Sequence, residues 1–195
     1  MFLRGLGLLG LGQVRAAIGQ LKIAERAGFA PAALYLGASL AAIGQNEQAA
    51  KVLERAPEIA LTTPLVPSLL ADCWLRAGQP DRAVPVLREA LEGRWVGHAG
   101  LQRRLGLALA AKGEHAEAVP ILGRGLDTRP TDLGSLLVLL QLYEDTGEGD
   151  VEALRSRLRA YRAATSESGP PIADLWLAHL ERSGAEPAAD SEGGD

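Results

Sequence analysis

The chain has 195 residues, 47% of them hydrophobic, which is enough to bury one continuous core but not to build two full domains. Its formal net charge of −4 argues against a general nucleic-acid or anionic-membrane binder, because both need a positive field over the contact surface. No apolar stretch is long enough to span a bilayer, and the single cysteine, Cys73, excludes an internal disulfide.

The first predicted element is a short apolar helix that contains Gly5-Leu6-Gly7-Leu8-Leu9-Gly10. These residues have the G-x-G-x-x-G spacing of a dinucleotide-binding loop, and Glu25 lies about 20 residues further on. Such a loop requires a strand before it and a parallel sheet after it, whereas the downstream pattern is helical. A nucleotide-dependent enzyme is therefore a disfavoured alternative, and we predict no cofactor.

Downstream, the sequence repeats with an offset of about 34 residues. Each copy has a large and then a small residue, a Gly, and finally Ala-x3-Leu. The copies are Leu36-Gly37…Gly44…Ala49…Leu53, Leu70-Ala71…Gly78…Ala83…Leu87 and Leu105-Gly106…Gly113…Ala118…Leu122. Apolar residues at three- and four-residue spacing on either side of the Gly predict two helices joined by a tight turn. The chain is therefore predicted to be a stack of helical hairpins.

The predicted hairpin units span about 1–29, 30–63, 64–98, 99–132 and 133–164. An amphipathic helix at about 170–183 is predicted to cap the last unit, because its apolar face would otherwise be exposed. Residues 184–195 are predicted to be a disordered acidic tail. Arg155, Arg159 and Arg162 share one side of the last second helix, and we interpret them as a solvated face that interacts with this tail, or alternatively as a site for an acidic partner.

The recurring residues resemble the tetratricopeptide repeat (TPR) pattern W-x2-L-G-x2-Y…A-x3-F…P over about residues 1–164. Leu36-Gly37 and Leu105-Gly106 match the Leu-Gly pair of the pattern. Trp74 and Tyr143 lie at its Tyr position, and Pro130 lies at its closing Pro. The leading Trp is missing, Leu always replaces Phe, and the Gly is replaced in two units. The resemblance implies an all-α, right-handed superhelical solenoid of about five hairpins with a C-terminal capping helix.

Two alternatives stand beside an independent TPR array. Pentatricopeptide repeats have a similar period and read RNA bases, but the acidic balance of the chain disfavours them. The stretches Gly28 to Ala38 and Leu69 to Asp72 are similar to TPR portions at the C-terminal end of larger bacterial proteins. On that interpretation the chain is a non-autonomous segment of a larger protein whose activity lies upstream.

In TPR proteins the first helix of each hairpin lines the concave surface, and residues at −3, +1 and +4 from the small residue form one binding stripe. Carried onto this chain, the resemblance predicts partner contacts on and beside this stripe at Leu34, Ala38, Ser68, Asp72, Leu75, Arg76, Arg103, Arg104, Leu107 and Gln141. The charged members can select an oppositely charged peptide. No stripe holds the paired Lys and Asn that a carboxylate clamp needs, so we do not predict such a clamp.

The same register places Phe2, Leu6 and Leu9 on the first helix, where they form an open apolar N-terminal face. Apolar residues at helical spacing are typical of internal packing, so one interpretation is core, or cover by upstream sequence. The other interpretation is a surface on which something else continues the stack.

The residues that could support catalysis are not grouped in the sequence. His98, His115 and His179 are scattered, Cys73 has no partner for a zinc site, and no motif supplies an activated Ser or a phosphate loop. We predict a non-enzymatic scaffold or adaptor that binds a protein or peptide partner, without a metal, nucleic acid or membrane insertion. A cytoplasmic location is predicted, or a periplasmic or secreted one if the chain belongs to a larger exported protein. The sequence predicts no oligomeric state.

Overall fold

The computed structural model describes residues 1–55, 62–147, 150–165 and 172–183. Within these ranges the chain contains eleven α-helices and no strand. Their bounds are α1 (Phe2–Gly10), α2 (Val14–Arg26), α3 (Pro31–Ala42), α4 (Asn46–Glu54), α5 (Leu65–Arg76), α6 (Pro80–Glu92), α7 (Ala99–Lys112), α8 (His115–Thr128), α9 (Leu133–Thr146), α10 (Val151–Thr165) and α11 (Ile172–Ser183). Helices α1 to α10 follow one another as successive helix-turn-helix units, and α11 follows the last of them. The predicted all-α repeat fold is confirmed.

The turns between the two helices of a unit form at the predicted glycines. Gly44 has a φ of 80° and Gly78 a φ of 70°, a left-handed conformation that other residues rarely adopt. At the first of these turns the Gln45 amide donates to the Leu40 carbonyl at 2.9 Å. The Ile43 amide donates to the same carbonyl at 3.2 Å, so the last turn of α3 is closed by these two bonds and the helix ends where the repeat predicts.

Two first helices approach their second helices closely at the small residue of the Leu-Gly pair or its equivalent. A Cβ atom on Gly37 would lie 2.7 Å from the side chain of Leu53, and a Cβ on Gly5 would lie 2.9 Å from that of Leu21. Leu53 and Leu21 end the Ala-x3-Leu sequences of α4 and α2, and both are buried. The small residue makes room for this Leu, which is the physical reason that the two positions recur together.

The chain divides into two compact units, Met1–Ala118 and Val119–Asp195, and the division falls inside α8. In the first compact unit each first helix packs against the second helix before it: α3 against α2, α5 against α4, and α7 against α6. The largest fully buried side chains of this unit are Trp74, Leu21, Leu36, Leu40, Leu53, Leu87, Leu101 and Leu109. Successive helix pairs of this unit are therefore joined by apolar packing.

In the second compact unit, α11 packs against α10. Ala173, Leu177 and Leu180 of α11 are buried, as is Leu158 of α10. The predicted capping helix is confirmed over the residues that the structure describes. Positions 170 and 171 of the predicted span, and the predicted tail at 184–195, lie outside the described residues.

Two of the three α10 arginines that were predicted to form a solvated face, Arg155 and Arg162, bind this capping helix. The Arg155 Nη2 atom donates to the carbonyl of Leu180 at 3.0 Å, near the end of α11. Arg162 Nη1 lies 3.0 Å from Asp174 Oδ1, in the first turn of α11. A cation near a helix C-terminus and a carboxylate in the first turn both complement the helix dipole. The interpretation of these arginines as a solvated face is therefore wrong for Arg155, which is half-buried, whereas Arg162 stays exposed beside its partner.

Candidate protein-interaction surface

The predicted stripe in the first compact unit lies on three successive first helices. Helix α5 contacts both α3 and α7, so the three helices lie side by side. Leu34, Leu75 and Leu107 are half-buried on these helices, and Ala38 is exposed. The stripe therefore presents apolar side chains that a partner can still reach and desolvate.

Asp72 of this stripe forms an ion pair with Arg104, which lies beside the stripe on α7. Arg104 Nε donates to Asp72 Oδ1 at 3.0 Å, and Arg104 Nη2 donates to Asp72 Oδ2 at 3.1 Å. Arg104 Nη1 also donates to the carbonyl of Gly100 at 3.2 Å. The fork-to-fork geometry fixes both side chains and joins α5 to α7. Asp72 and Arg104 therefore act as one neutral pair rather than as two independent contacts.

Two polar residues of the predicted set use their side chains within their own helices. Ser68 is buried, and its hydroxyl donates to the Pro64 carbonyl at 2.7 Å. Gln141 belongs to the second compact unit, where it is exposed and its Nε2 donates to Asp145 Oδ1 at 2.9 Å. Ser68 is therefore not accessible to a partner, and Gln141 is not part of the stripe on α3, α5 and α7.

The remaining cations of the predicted set flank the ion pair along the same helices. Arg76 is exposed in the last turn of α5, one turn beyond Asp72. Arg103 is half-buried on α7, next to Arg104. Since the Asp72–Arg104 pair is neutral, the exposed Arg76 adds positive charge to this part of the surface.

The predicted open N-terminal face is only partly open. The ring of Phe2 lies 4.6 Å from that of Phe29 and 5.5 Å from that of Tyr35, measured between centroids, so Phe2 belongs to an aromatic cluster. Leu6 and Leu9 are half-buried. The large apolar residues that are most exposed here are instead Leu3 and Leu11, at 79% and 74%. Sequence periodicity missed both because it cannot tell which side of α1 lacks a neighbour.

A cavity of about 500 Å³ lies between α4, α5 and α6. Its lining is largely apolar and includes Leu53, Val66, Leu70 and Val86, while Glu54 and Glu89 add two carboxylates. On α5 the cavity-lining residues point away from the side that carries Asp72, because their spacing puts them on opposite faces of the helix. Sequence reasoning missed this cavity, since its residues carry only the periodicity of a core.

No reactive group stands out in the described part of the chain. Burial raises the pKa of the Cys73 thiol to about 11, with the nearby Asp72 carboxylate adding to the effect, so this thiol is a poor nucleophile at neutral pH. Within the described ranges, no three or more His, Cys, Asp and Glu side chains form a cluster that could hold a metal ion.

Among the helices that the structure describes, none is long and apolar enough to cross a membrane. This is the structure of a helical repeat protein, built from helices joined by glycine turns. Its candidate functional residues lie on the surface of the stripe. The TPR family matches residues 2–60 and 69–132, which is more than half of the chain, and the chain belongs to that family. The resemblance predicted from the sequence is thereby confirmed.

Solved structures with the same fold include other TPR proteins. A crystal structure of MamA is 20% identical, covers 85% of this chain and 93% of its own, and superposes with a TM-score of 0.72. MamA from residue 41 to its end, from Desulfovibrio magneticus RS-1, is 16% identical, covers 93% of each chain and has a TM-score of 0.66. YrrB, described as a TPR protein with an unusual peptide-binding site, is 16% identical, covers 91% of this chain and 90% of its own, and has a TM-score of 0.70. A search of curated proteins finds no match. At these identities the likeness concerns the fold.

Proposed function

We propose that this chain is a protein-interaction scaffold that binds a partner peptide or helix across the stripe on α3, α5 and α7. The observation that carries the proposal is the Asp72–Arg104 pair, which has Leu75 one turn along α5 and Leu107 one turn along α7. A fixed polar centre with reachable apolar side chains on both helices is the composition of an interaction hot spot.

The charge around this centre favours a partner with acidic residues. Arg76 lies beside the neutral pair and is able to bind a carboxylate, while Leu34, Leu75 and Leu107 accept apolar side chains. TPR proteins are generally scaffolds without catalytic activity, and we propose no reaction for this chain. A cytoplasmic location stays a prediction.

The test is site-specific photo-crosslinking in the native lysate. A photo-reactive amino acid replaces Ala38, which is exposed on the stripe, or, as a control, Ile23, which is exposed on the second helix α2. We expect a discrete crosslinked partner from position 38 and not from position 23. Leu75→Glu in the position-38 protein should remove most of that product, because a buried carboxylate opposes docking of an apolar side chain.

Equal crosslinking from both positions would contradict the proposal, as would a product that Leu75→Glu leaves unchanged. The substituted side chain is half-buried, so circular dichroism of the variant is needed to show that its helices persist.

The alternative function, a segment that serves a larger protein, is favoured by the exposed apolar residues Leu3 and Leu11. It predicts that an antibody raised against the chain detects a native polypeptide much larger than 20.5 kDa. Detection of a native polypeptide of about that mass would count against it.

A further inference from the structure

Helix α7 begins at an N-cap residue whose side chain can change charge near neutral pH. His98 has extended backbone angles, with φ −66° and ψ 105°, and its Nδ1 atom accepts a hydrogen bond from the Leu101 amide at 3.2 Å. Asp150, just before α10, makes the equivalent bond with a carboxylate, to the Ala153 amide at 3.0 Å. Of these two side-chain types, histidine is the one that changes charge between about pH 5 and pH 8.

The imidazole has to be neutral to make this bond. The Nδ1 atom accepts only when the ring proton is on Nε2, whereas both nitrogens of an imidazolium are donors. Protonation would turn a ring N–H towards the Leu101 N–H and would add a positive charge at the N-terminus of α7, where the helix dipole disfavours it. The Leu101 amide also donates to the His98 carbonyl at 3.0 Å, so protonation would weaken the first turn without removing its backbone bonds.

The guanidinium of Arg104 lies close to this ring. A Cβ atom on Gly100 would lie 3.2 Å from Cε1 of His98 and 3.8 Å from Nη1 of Arg104, so the two side chains border the same point on α7. Arg104 is half-buried, and its other two nitrogens bind Asp72 of α5. A second positive charge on His98 would therefore repel a cation that is already fixed in place.

The other groups around the ring do not form a direct contact that would stabilise a positive charge there. Helix α6, which packs against α7, has Glu89 and Glu92 in its last turn, and Arg94 follows it. All three are exposed, and within the part of the chain that the structure describes none of them is hydrogen-bonded or ion-paired to His98. The centroid of the Trp95 ring is 6.3 Å from that of His98, just beyond the range of about 6 Å for a cation–π contact.

We propose that His98 is a pH-sensitive cap, whose protonation loosens the first turn of α7 and weakens the ion pair between Arg104 and Asp72. The connection between the two is the Gly100 carbonyl in that first turn, to which Arg104 Nη1 donates at 3.2 Å. Since the ion pair joins α5 to α7, these two first helices are less firmly connected at acid pH. This device belongs to the chain by itself, and only its consequence, weaker partner binding on the stripe at acid pH, rests on the proposed function.

The test is amide hydrogen exchange of the full chain, followed by NMR at about pH 7.5 and about pH 5.5 and corrected for the intrinsic effect of pH on exchange. The protection of the Leu101 amide should fall by about fivefold at the lower pH, which is the size expected for the loss of a cap. The Ala153 amide is the internal reference, because its cap is a carboxylate, and its protection should not change.

Two variants assign the effect to His98. His98→Asn provides an amide oxygen that accepts at both pH values, so the fall at Leu101 should disappear. His98→Ala has no cap at either pH, so the wild type should resemble the Asn variant at about pH 7.5 and the Ala variant at about pH 5.5. The matched control is His179→Asn, which removes an exposed histidine of α11 and should leave the fall unchanged.

The effect on the ion pair is measured by a double-mutant cycle of Asp72→Asn and Arg104→Met in urea unfolding. In the wild-type background the coupling should decrease from about fivefold in the unfolding constant to less than about twofold at the lower pH. In the His98→Asn background it should stay the same. A coupling that does not change with pH in the wild type would overturn the connection between the cap and Arg104.

Constant protection of Leu101 in the wild type, or an equal fall at Ala153, would overturn the proposal, and so would a fall that persists in His98→Asn. The comparison of Leu101 with Ala153 needs no variant, so it decides the matter even if a substitution of the half-buried His98 unfolds the chain. Failure to find a crosslinked partner from position 38 would contradict the proposed function but not this proposal, because exchange is measured on the chain alone.

Discussion

Arg104 holds Asp72 through two parallel hydrogen bonds, with 3.0 Å between Nε and Oδ1 and 3.1 Å between Nη2 and Oδ2. The two residues belong to the first helices of successive units, so the pair connects α5 to α7 directly. Both side chains are largely but not fully buried, which limits screening by water without a large desolvation cost. The pair therefore stabilises the packing of successive units, and it is already formed before any partner binds.

This ion pair should contribute measurably to stability. In a double-mutant cycle of Asp72→Asn and Arg104→Met, we expect a coupling of about 1 kcal/mol in the free energy of urea unfolding, at the upper end for partly exposed pairs. The matched control is the exposed pair of Lys51 and Glu47, 3.9 Å apart, for which we expect at most about 0.3 kcal/mol. Equal coupling for the two pairs would contradict the geometric argument.

Two glycines of α1 should respond in opposite ways to alanine. Nothing lies within 4 Å of a Cβ built on Gly7, so Gly7→Ala should raise the free energy of unfolding by about 1 kcal/mol through helix propensity. Gly5→Ala should lower it by about 1–3 kcal/mol, because the added methyl would lie 2.9 Å from the buried Leu21 side chain. Thermal and urea denaturation of both variants check the signs, and a stabilising Gly5→Ala would show that Leu21 moves aside freely.

Arg82 should stabilise the first compact unit through two contacts, a cation–π contact with the Trp74 ring and an ion pair with Glu54. Its guanidinium carbon lies 3.5 Å from the ring centroid of the buried Trp74, and its Nη2 donates to Glu54 at 2.8 Å. We expect Arg82→Met to cost about 1 kcal/mol, and Glu54→Gln less than about half of that, because only the first change removes the cation from the ring. Equal losses in urea unfolding would assign the whole effect to the ion pair.

The Cys73 thiol should make stability fall at alkaline pH. Burial raises its pKa from 9.0 to about 11, so the thiol ionises in the unfolded chain before it ionises in the folded one. Its stabilising contribution is complete below about pH 9 and is lost as the pH rises through about 11, by up to about 3 kcal/mol.

Unfolding of the wild type and of Cys73→Ala at about pH 8 and about pH 10.5 isolates this contribution, because the other groups that titrate are common to both proteins. The wild type should lose more stability than the variant between the two pH values. If both lose the same amount, the thiol is accessible enough to ionise without unfolding.

The helical hairpins, their glycine turns and the capping helix could all be predicted from sequence. Each depends on local information: apolar spacing predicts a helix, and Gly44 is tolerant of the left-handed φ that ends one. The pairing of Gly37 with Leu53 also follows from the repeat, because the same two positions recur in register. Close packing at these positions constrains residue size, and size is visible in a sequence.

The partners of the polar and charged side chains were decided by the tertiary structure. Asp72 and Arg104 were both predicted as partner contacts, yet they bind each other, and Arg155 reaches the carbonyl of Leu180. Such pairings depend on how neighbouring helices cross, and a single sequence does not contain that geometry. The exposure of Leu3 and Leu11 has the same origin, because an apolar residue becomes a surface only where no neighbouring helix covers it.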